Sequence, residues 1–562
     1  MTSTTLMTLM TLMTLMTVPV RLLAACAVVA AASALTAGWR WAHAPRVWAP
    51  GEVPVAFWAW RAETPSQAEV GRAARETGAR VLFLRAGQMD SDAGRVTRVR
   101  AVAGVMPRGV ELHLVYNATP RLLAEFGRVE ETTLAAAFVE TFRADSERAA
   151  RDGNAAVGLQ LDVDAPTRLL ARYARVLRAV RAGLPGGVKL SVTGLPTWVG
   201  SDELREVLDA VDFWAPQFYG AEIPETLDRV VPIASPRAIA LAVARVRELD
   251  KPFYAGLAAY GYALVYDARG RLVELRGDLD PARVASDANL ELVGRRAFGA
   301  GVEGDGARAW AAPPAGEWRY VFRARGDAAL EGLHLRAGEQ IVLDVPGSES
   351  LRAGVRGVRE AAGDKLLGIC FFRLHTNGDA TTLGLAEVSA ALHDREPEFS
   401  TSLSAEAMPA DAPELNLHGS SGEGSDRLLL TAENDGAGGA LYGDGALSVT
   451  LRVPRGSLRG VTRLEGFDTF ETLCETSRGE TLQGETSQAK TSRAALRPCS
   501  AARAGVVRLG ARAWRAGARA RAGLSFEASV PARLAAAVAV RREDGRVWER
   551  LESLSLKGAG GR

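Results

Sequence analysis

The sequence predicts an α/β fold: a closed (β/α)8 TIM-like barrel with an insertion between its seventh and eighth strands, followed by a small C-terminal β-sandwich-like domain. Three observations predict it. Eight short apolar runs between residues 54 and 374 are each followed by a helical pattern, as in a parallel sheet closed on itself. The stretch between the seventh and eighth runs, about 262–345, is too long for a simple connection and contains strand-sized pieces. Beyond residue 396 the helical period gives way to alternating segments separated by Gly-rich turns. An open doubly wound sheet is the alternative, but it usually has fewer strands. At 562 residues the chain exceeds what one hydrophobic core normally serves, so two or three domains are expected.

Residues 1–20 repeat Thr-Leu-Met four times, which reads as a slipped coding repeat before a start at Met16 and is set aside from the fold. From Arg21 the chain is apolar to about Gly38, so residues 1–38 are expected to be a signal peptide or membrane anchor, short for a span of roughly 20 residues. Leu23-Ala24-Ala25-Cys26 resembles a lipoprotein cleavage box. The expected location is exported, either periplasmic or membrane-anchored at the cell envelope.

The barrel is assigned to residues 50–395. Pro54 to Trp60 reads as its first strand, with a helix from Thr64, whose hydroxyl can cap it, to a stop at Gly78. Arg80 to Leu84 is the second strand and Glu111 to Tyr116 the third; a helical stretch with an internal break then runs from Pro120 to about Arg151. Gly158 to Pro166 carries the fourth strand. A helix whose apolar residues recur from Leu169 to Val180 follows it and ends at Gly183. Lys189 to Thr193, Phe213 to Tyr219 and Phe253 to Leu257 are the fifth to seventh strands. Within the insertion Trp318 to Ala324 and Gln340 to Val345 are strand-like and suggest a small wall beside the site. Gly368 to Leu374 is the eighth strand, before an amphipathic run from Leu385 to Leu392. Residues 396–424 read as a Ser/Ala/Glu/Pro-rich linker and 425–562 as the β-rich domain, with the Glu-Thr and Thr-Ser repeats of 472–495 as a disordered loop.

Composition excludes several function classes. The net charge is +2 and no long basic run interleaved with aromatics is present, so nucleic acid is a poor partner. Four cysteines are too few for a disulfide scaffold; Cys26 and Cys370 sit in apolar surroundings, while Cys474 and Cys499 could pair in an oxidising compartment. Six histidines form no short Cys/His cluster of zinc-site spacing, so neither a metal nor a cofactor is indicated.

The chemistry concentrates on the fourth strand. Alternation puts Leu159, Leu161 and Val163 on one face and Gln160, Asp162 and Asp164 on the other. Unpaired carboxylates are costly to bury, so this face is expected to open into a polar site. In a parallel barrel the site lies where strands end, which gathers Asp162, Asp164, Thr193, Gln217, Tyr219 and Arg373 at one mouth. Two like charges two residues apart push one proton to higher pH, and a protonated carboxyl beside an ionised one is what glycosidic cleavage requires. The same spacing also fits Asp164 capping the following helix and Asp162 making a structural hydrogen bond. Aromatics gather at predicted strand ends: Trp58, Trp60, Tyr116, Trp198, Tyr219, Tyr260 and Phe372. Such side chains stack on sugar rings, and each also fits ordinary core packing.

Val157 to Pro166 resembles the fourth-strand signature of the family 18 glycoside hydrolases, Asp-Gly-x-Asp-x-Asp-x-Glu. Laid on that pattern, Val157 and Gln160 replace the first two acids, Asp162 keeps the third, and Asp164 takes the place of the proton-donating Glu. The resemblance implies that Tyr219 assists an N-acetyl group, that the segment Gly256 to Gly261 matches the Tyr-Gly segment after strand seven, and that Phe372 replaces a tryptophan. Asp for Glu shortens the donor by one methylene, about 1.5 Å, and a shift near 1 Å can cost about 100-fold in rate. The combination of Phe57 to Trp60, Leu161 to Asp164, Leu190 to Trp198 and Val211-Asp212 is more closely similar to an uncharacterised bacterial family, the domain of unknown function 3142, over roughly residues 50–395.

Two functions from different classes follow. In the first, the chain is a glycoside hydrolase-like protein acting on a cell-envelope or extracellular polysaccharide. Asp164 is its general acid, Asp162 orients that acid, and Tyr219 with Gln217 positions the sugar. Trp58, Trp60, Gln160, Thr193, Trp198, Tyr260, Phe372 and Arg373 complete the expected substrate-binding set. In the second, the barrel has lost catalysis and binds glycan or an envelope protein.

Overall fold

The computed structural model describes residues 46–220, 222–297, 318–408, 427–475, 496–527, 533–543 and 545–556. Residues 1–38, with Cys26 and the expected signal or anchor, lie outside them. Among the described residues no helix is long and apolar enough to cross a membrane.

Eight parallel strands close into a barrel. In chain order the first eight strands are β1 Val55–Ala59, β2 Val81–Asp92, β3 Arg95–Ala101, β4 Glu111–Ala118, β5 Ala156–Asp162, β6 Lys189–Gly194, β7 Phe213–Pro216 and β8 Phe253–Ala258. An insertion follows with β9 Tyr262–Tyr266, β10 Leu272–Arg276, β11 Leu290–Ala297, β12 Trp318–Ala324, β13 Ala328–Leu330, β14 Leu333–Leu335 and β15 Gln340–Val345, and then β16 Leu366–Phe372. The order around the barrel is β1-β16-β8-β7-β6-β5-β4-β2, and β1 also pairs with β2, which closes the circle. Each expected barrel strand coincides with one of these eight.

The strands are apolar on both faces because both are buried. Phe57, Leu84, Leu114, Leu159, Leu161, Val192 and Phe371 pack outward against the helices. Ala56, Trp58, Phe83, Val115, Phe213, Tyr254 and Cys370 fill the interior. This two-sided burial is why the strands read as short continuous apolar runs. Gly158 is where the interior is tightest: a Cβ there would stand 2.0 Å from His113 Nδ1, so only glycine lets that ring lie across the barrel.

The helices follow from local signals, with small differences from the sequence reading. The first covers Gln67–Thr77 and is capped by Ser66 in a capping box with Glu69, and Gly78 ends it at φ 73°. Thr64 does not cap; its hydroxyl bonds to Val105 O at 2.9 Å. The expected break falls between Pro120–Glu125 and Glu131–Arg151, and Leu170–Gly183 covers the outside of β5.

Two features shape the mouth. The second barrel strand runs past the mouth to Asp92 and returns antiparallel as β3, a hairpin the sequence reading missed. The insertion forms a five-stranded antiparallel sheet, β10-β9-β15-β12-β11, with its own core of Trp318, Tyr320, Phe322, Ile341 and Leu343. Its Tyr262, Leu264 and Val342 pack with Tyr219, Ala258 and Phe372, so the sheet buttresses one side of the mouth.

The C-terminal region holds two antiparallel sheets. One orders Thr401–Met408, Arg427–Asn434, Arg519–Phe526 and Leu458–Glu465. The other orders Leu496–Pro498, Thr469–Glu475, Val506–Ala511, Leu447–Arg452, Arg533–Arg541 and Val547–Ser555. Leu428, Leu430, Val449, Leu509, Leu524 and Val538 from both sheets share one core. The stretch 396–424 is not all linker: Thr401–Met408 pairs along its whole length with Arg427–Asn434. Residues 472–475 are strand rather than loop, and 476–495 lie outside the described residues. Cys474 and Cys499 form a disulfide with Cα atoms 5.9 Å apart, and Cys370 is a buried free thiol inside the barrel. The C-terminal region is tied to the barrel through Arg515, which pairs with Asp280 at 3.1 Å and donates to Ala380 O in the loop after β16.

Candidate functional site

The site grows out of β5. Its inward residues rise from Gly158 through Gln160 to Asp162, and Asp164 stands two residues beyond the strand end. Gln160 is fully buried: its Oε1 accepts from Trp58 Nε1 at 2.8 Å and its Nε2 donates to Ser191 Oγ at 3.3 Å. Trp58 and Gln160 therefore form the floor under the site. They were expected to contact substrate, but at 1% and 0% exposure neither can.

One step higher, Asp162 Oδ1 accepts from Thr193 Oγ1 at 2.6 Å. Burial is the main cause that raises the Asp162 pKa, to about 7; the like charge of Asp164 adds to it, and the Thr193 bond and the Arg85 charge oppose it. Asp164 reaches solvent on one side and is walled by protein on the other, and that lost hydration pushes its carboxyl up as well. The pair thus holds a proton toward neutral pH. Asp164 does not cap the next helix: Thr167–Leu169 and Leu170–Gly183 have no side-chain cap bond, and the cap position of the first is Pro166. Asp162 does make the structural hydrogen bond that the alternative reading required.

Aromatic side chains form the opposite wall. Phe372 is its centre, 4.9 Å from Tyr260, 5.5 Å from Trp60 and 5.8 Å from Tyr219 between ring centroids, with the Tyr219 ring stacked. Burial drives the Tyr219 pKa well up, helped by Tyr260 and the two aspartates, so its phenol stays protonated and able to donate. Trp60, Tyr260, Phe372 and Gln217 are half-exposed and line the opening.

Three expected positions lie elsewhere. Trp198 is 1% exposed in the helix layer, edge-on to Tyr173 at 6.0 Å, and its Nε1 donates to Ala165 O at 2.9 Å. It anchors the loop that carries Asp164 and touches no substrate space. Arg373 lies just beyond the end of β16, and its guanidinium binds Asp379 at 3.0 and 3.1 Å. Tyr116 faces outward, and its hydroxyl bonds to Asp145 at 2.8 Å on the helix Glu131–Arg151.

Two residues were missed. Arg85 and Asn117 are the inward positions just past the expected ends of the second and third strands. Arg85 Nε donates to Asn117 Oδ1 at 3.0 Å, and its guanidinium lies 5.3 Å from the Trp60 ring centroid. Asn117 sits in register opposite Asp162. Extending each strand by one residue with the same alternation would have found both. Among the described residues, no three His, Cys, Asp or Glu side chains converge as metal ligands.

The model of a family described as domain of unknown function (DUF3142) matches residues 119–292, a stretch that includes Asp162, Asp164, Thr193, Tyr219 and Tyr260. It bears out the similarity seen in the strand motifs. No curated protein matches the chain. Among solved structures, the spore cortex-lytic enzyme SleL of Bacillus cereus aligns at 13% identity and TM-score 0.39 over 61% of this chain and 74% of its own. A chitinase from Chromobacterium violaceum aligns at 14% identity and TM-score 0.40 over 60% of this chain and 99% of its own. A glycoside hydrolase family 18 N-acetylglucosaminidase from Paenibacillus barengoltzii aligns at 12% identity and TM-score 0.36, with 60% and 99% covered.

Proposed function

We propose that the barrel mouth is a glycoside hydrolase-like site that acts on a cell-envelope or extracellular polysaccharide, with Asp164 as general acid. One observation carries this reading: two carboxylates at the C-terminal mouth of a closed barrel, both with raised pKa, face a wall of Tyr219, Tyr260, Phe372 and Trp60. A general acid must hold its proton near working pH and reach the leaving oxygen. Asp164 is exposed and its carboxyl is pushed up by lost hydration, and the neighbouring Asp162, raised to about 7, keeps a proton on the pair. Asp162, held by Thr193, keeps the proton on the pair and orients it. Tyr219 donates a hydrogen bond to the sugar, and the half-exposed aromatics stack on its apolar face. If the substrate carries an N-acetyl group, that group can serve as nucleophile, as the resemblance to the family 18 signature implies. Export is supported by the Cys474–Cys499 disulfide, because such bonds persist in oxidising compartments.

A second reading, a barrel that binds glycan or an envelope protein without turnover, is favoured by Gln160. That position, acidic in the resembled signature, is here an amide spent entirely on Trp58 and Ser191. A reducing-end release screen over bacterial polysaccharides with wild type and Asp164→Asn decides between them. Hydrolysis abolished by the substitution is expected; hydrolysis that survives it rejects Asp164 as donor, and binding without any release favours the second reading.

A further inference from the structure

The hairpin beside the mouth pairs some of its arginines and leaves others open. Arg98 binds Asp145 of the helix Glu131–Arg151, and Asp90 of β2 is taken by Arg121 of the helix Pro120–Glu125. On the mouth side, Arg85 and Arg100 form no ion pair among the described residues, although the charge of Asp162 acts on Arg85. Arg85 uses only Nε, on Asn117, and lies against the Trp60 ring. Arg100 is exposed on β3, opposite Gln88 of the continuing β2, close enough for its charge to depress the Arg85 pKa after the larger effect of burial. Holding two like charges together at a partly buried mouth is unfavourable, and Asp162, whose carboxyl is raised to about 7, offsets them only in part. The arrangement is also lopsided, since two fixed positive charges face a carboxylate pair that keeps a proton.

We propose that this mouth selects an anionic sugar, with Arg85 and Arg100 gripping a carboxylate on the ring that stacks at Trp60. The inference rests on reading the mouth as a carbohydrate site and names its substrate class. A guanidinium fork matches a carboxylate in two parallel bonds, and among the described residues the terminal nitrogens of Arg85 have no hydrogen-bond partner. Asn117 holds Arg85 in place, so little ordering is lost on binding.

The test is isothermal titration of the full chain carrying Asp164→Asn, so that binding is read without turnover. The probes are tetragalacturonate and the same tetrasaccharide with its carboxyls reduced to alcohols. The uronate is expected to bind at least about tenfold tighter, as a charge-assisted contact gives. Arg85→Gln should bring that ratio close to one and Arg100→Gln should remove part of it; Arg100 is exposed, so its variant tests the idea even if Arg85→Gln folds poorly. Equal binding of the two probes, or a ratio that neither substitution changes, overturns the proposal. Arginine-dependent uronate binding by a chain whose wild type releases no reducing ends would leave this inference standing and sink the catalytic reading. Hydrolysis of a neutral polymer, with no preference for uronate, would do the opposite.

Discussion

Gln160 and Asp162 are successive inward residues of one strand, roughly 7 Å apart along it, yet they meet the interior on opposite terms. The amide at the floor has every polar atom that faces the core engaged, with Trp58 on one side and Ser191 on the other. The carboxylate above it has one protein hydrogen bond, from Thr193, and a like-charged neighbour. A neutral group that is fully partnered can be buried at little net cost, whereas a carboxylate left partly unpaired keeps its proton or finds a ligand. The boundary between structural and chemical polarity in this barrel therefore lies between two side chains of one strand.

The comparison can be broken most severely at its outer end. Asp164→Asn should lower kcat on any polysaccharide the chain cleaves by about 100-fold or more, the usual share of a general acid, while binding measured by titration changes little. Moving a carboxylate to the floor is the next largest effect. Gln160→Glu should cost about 3 kcal/mol of stability at pH 8 in urea unfolding, and clearly less at pH 5, where the buried acid can be neutral. An equal loss at both pH values would mean that charge is not what the floor excludes.

The pH dependence of stability sharpens the mouth. Asp162 has an ordinary pKa of 3.8 unfolded and about 7 folded, so the folded state binds its proton more tightly. Its contribution is most favourable below about pH 4 and is lost as pH rises toward 7. Asp162→Asn should therefore gain on wild type progressively between pH 4 and 7, with a constant difference above that, as read from melting temperatures across the range. Thr193→Val is the smallest change. It removes the hydrogen bond that favours ionised Asp162, so the carboxyl pKa followed by NMR should rise, not fall.

Much of this was visible in the sequence, for physical reasons that also explain the misses. The eight barrel strands could be read because burial on both faces leaves continuous apolar runs, and the aspartate pair because nothing else explains charge on such a strand. Arg85 and Asn117 were lost because apolarity ends at Leu84 and Tyr116, while the strands continue to Asp92 and Ala118. Parity alone would have turned Tyr116 outward, since Val115 faces inward, whereas Arg373 lies beyond the end of its strand, where alternation no longer applies. Trp198 is different: its partner, Ala165 O, lies 33 residues away, and no local pattern encodes that meeting. The strand Thr401–Met408 reads as linker because its small polar residues resemble one, and its order comes from pairing with Arg427–Asn434.

The contacts of Arg515 bear on how the molecule comes apart. This one side chain from the C-terminal sheets holds both Asp280 of the insertion and Ala380 in the loop that follows the last barrel strand. The same loop contains Asp379, which fixes Arg373 directly after the Phe372 wall. Melting of the C-terminal sheets would free that loop, so a barrel cut off near residue 396 is a loosened mouth rather than an isolated catalytic unit. Calorimetry of the whole chain should accordingly show the two regions unfolding together, as a single heat-absorption peak.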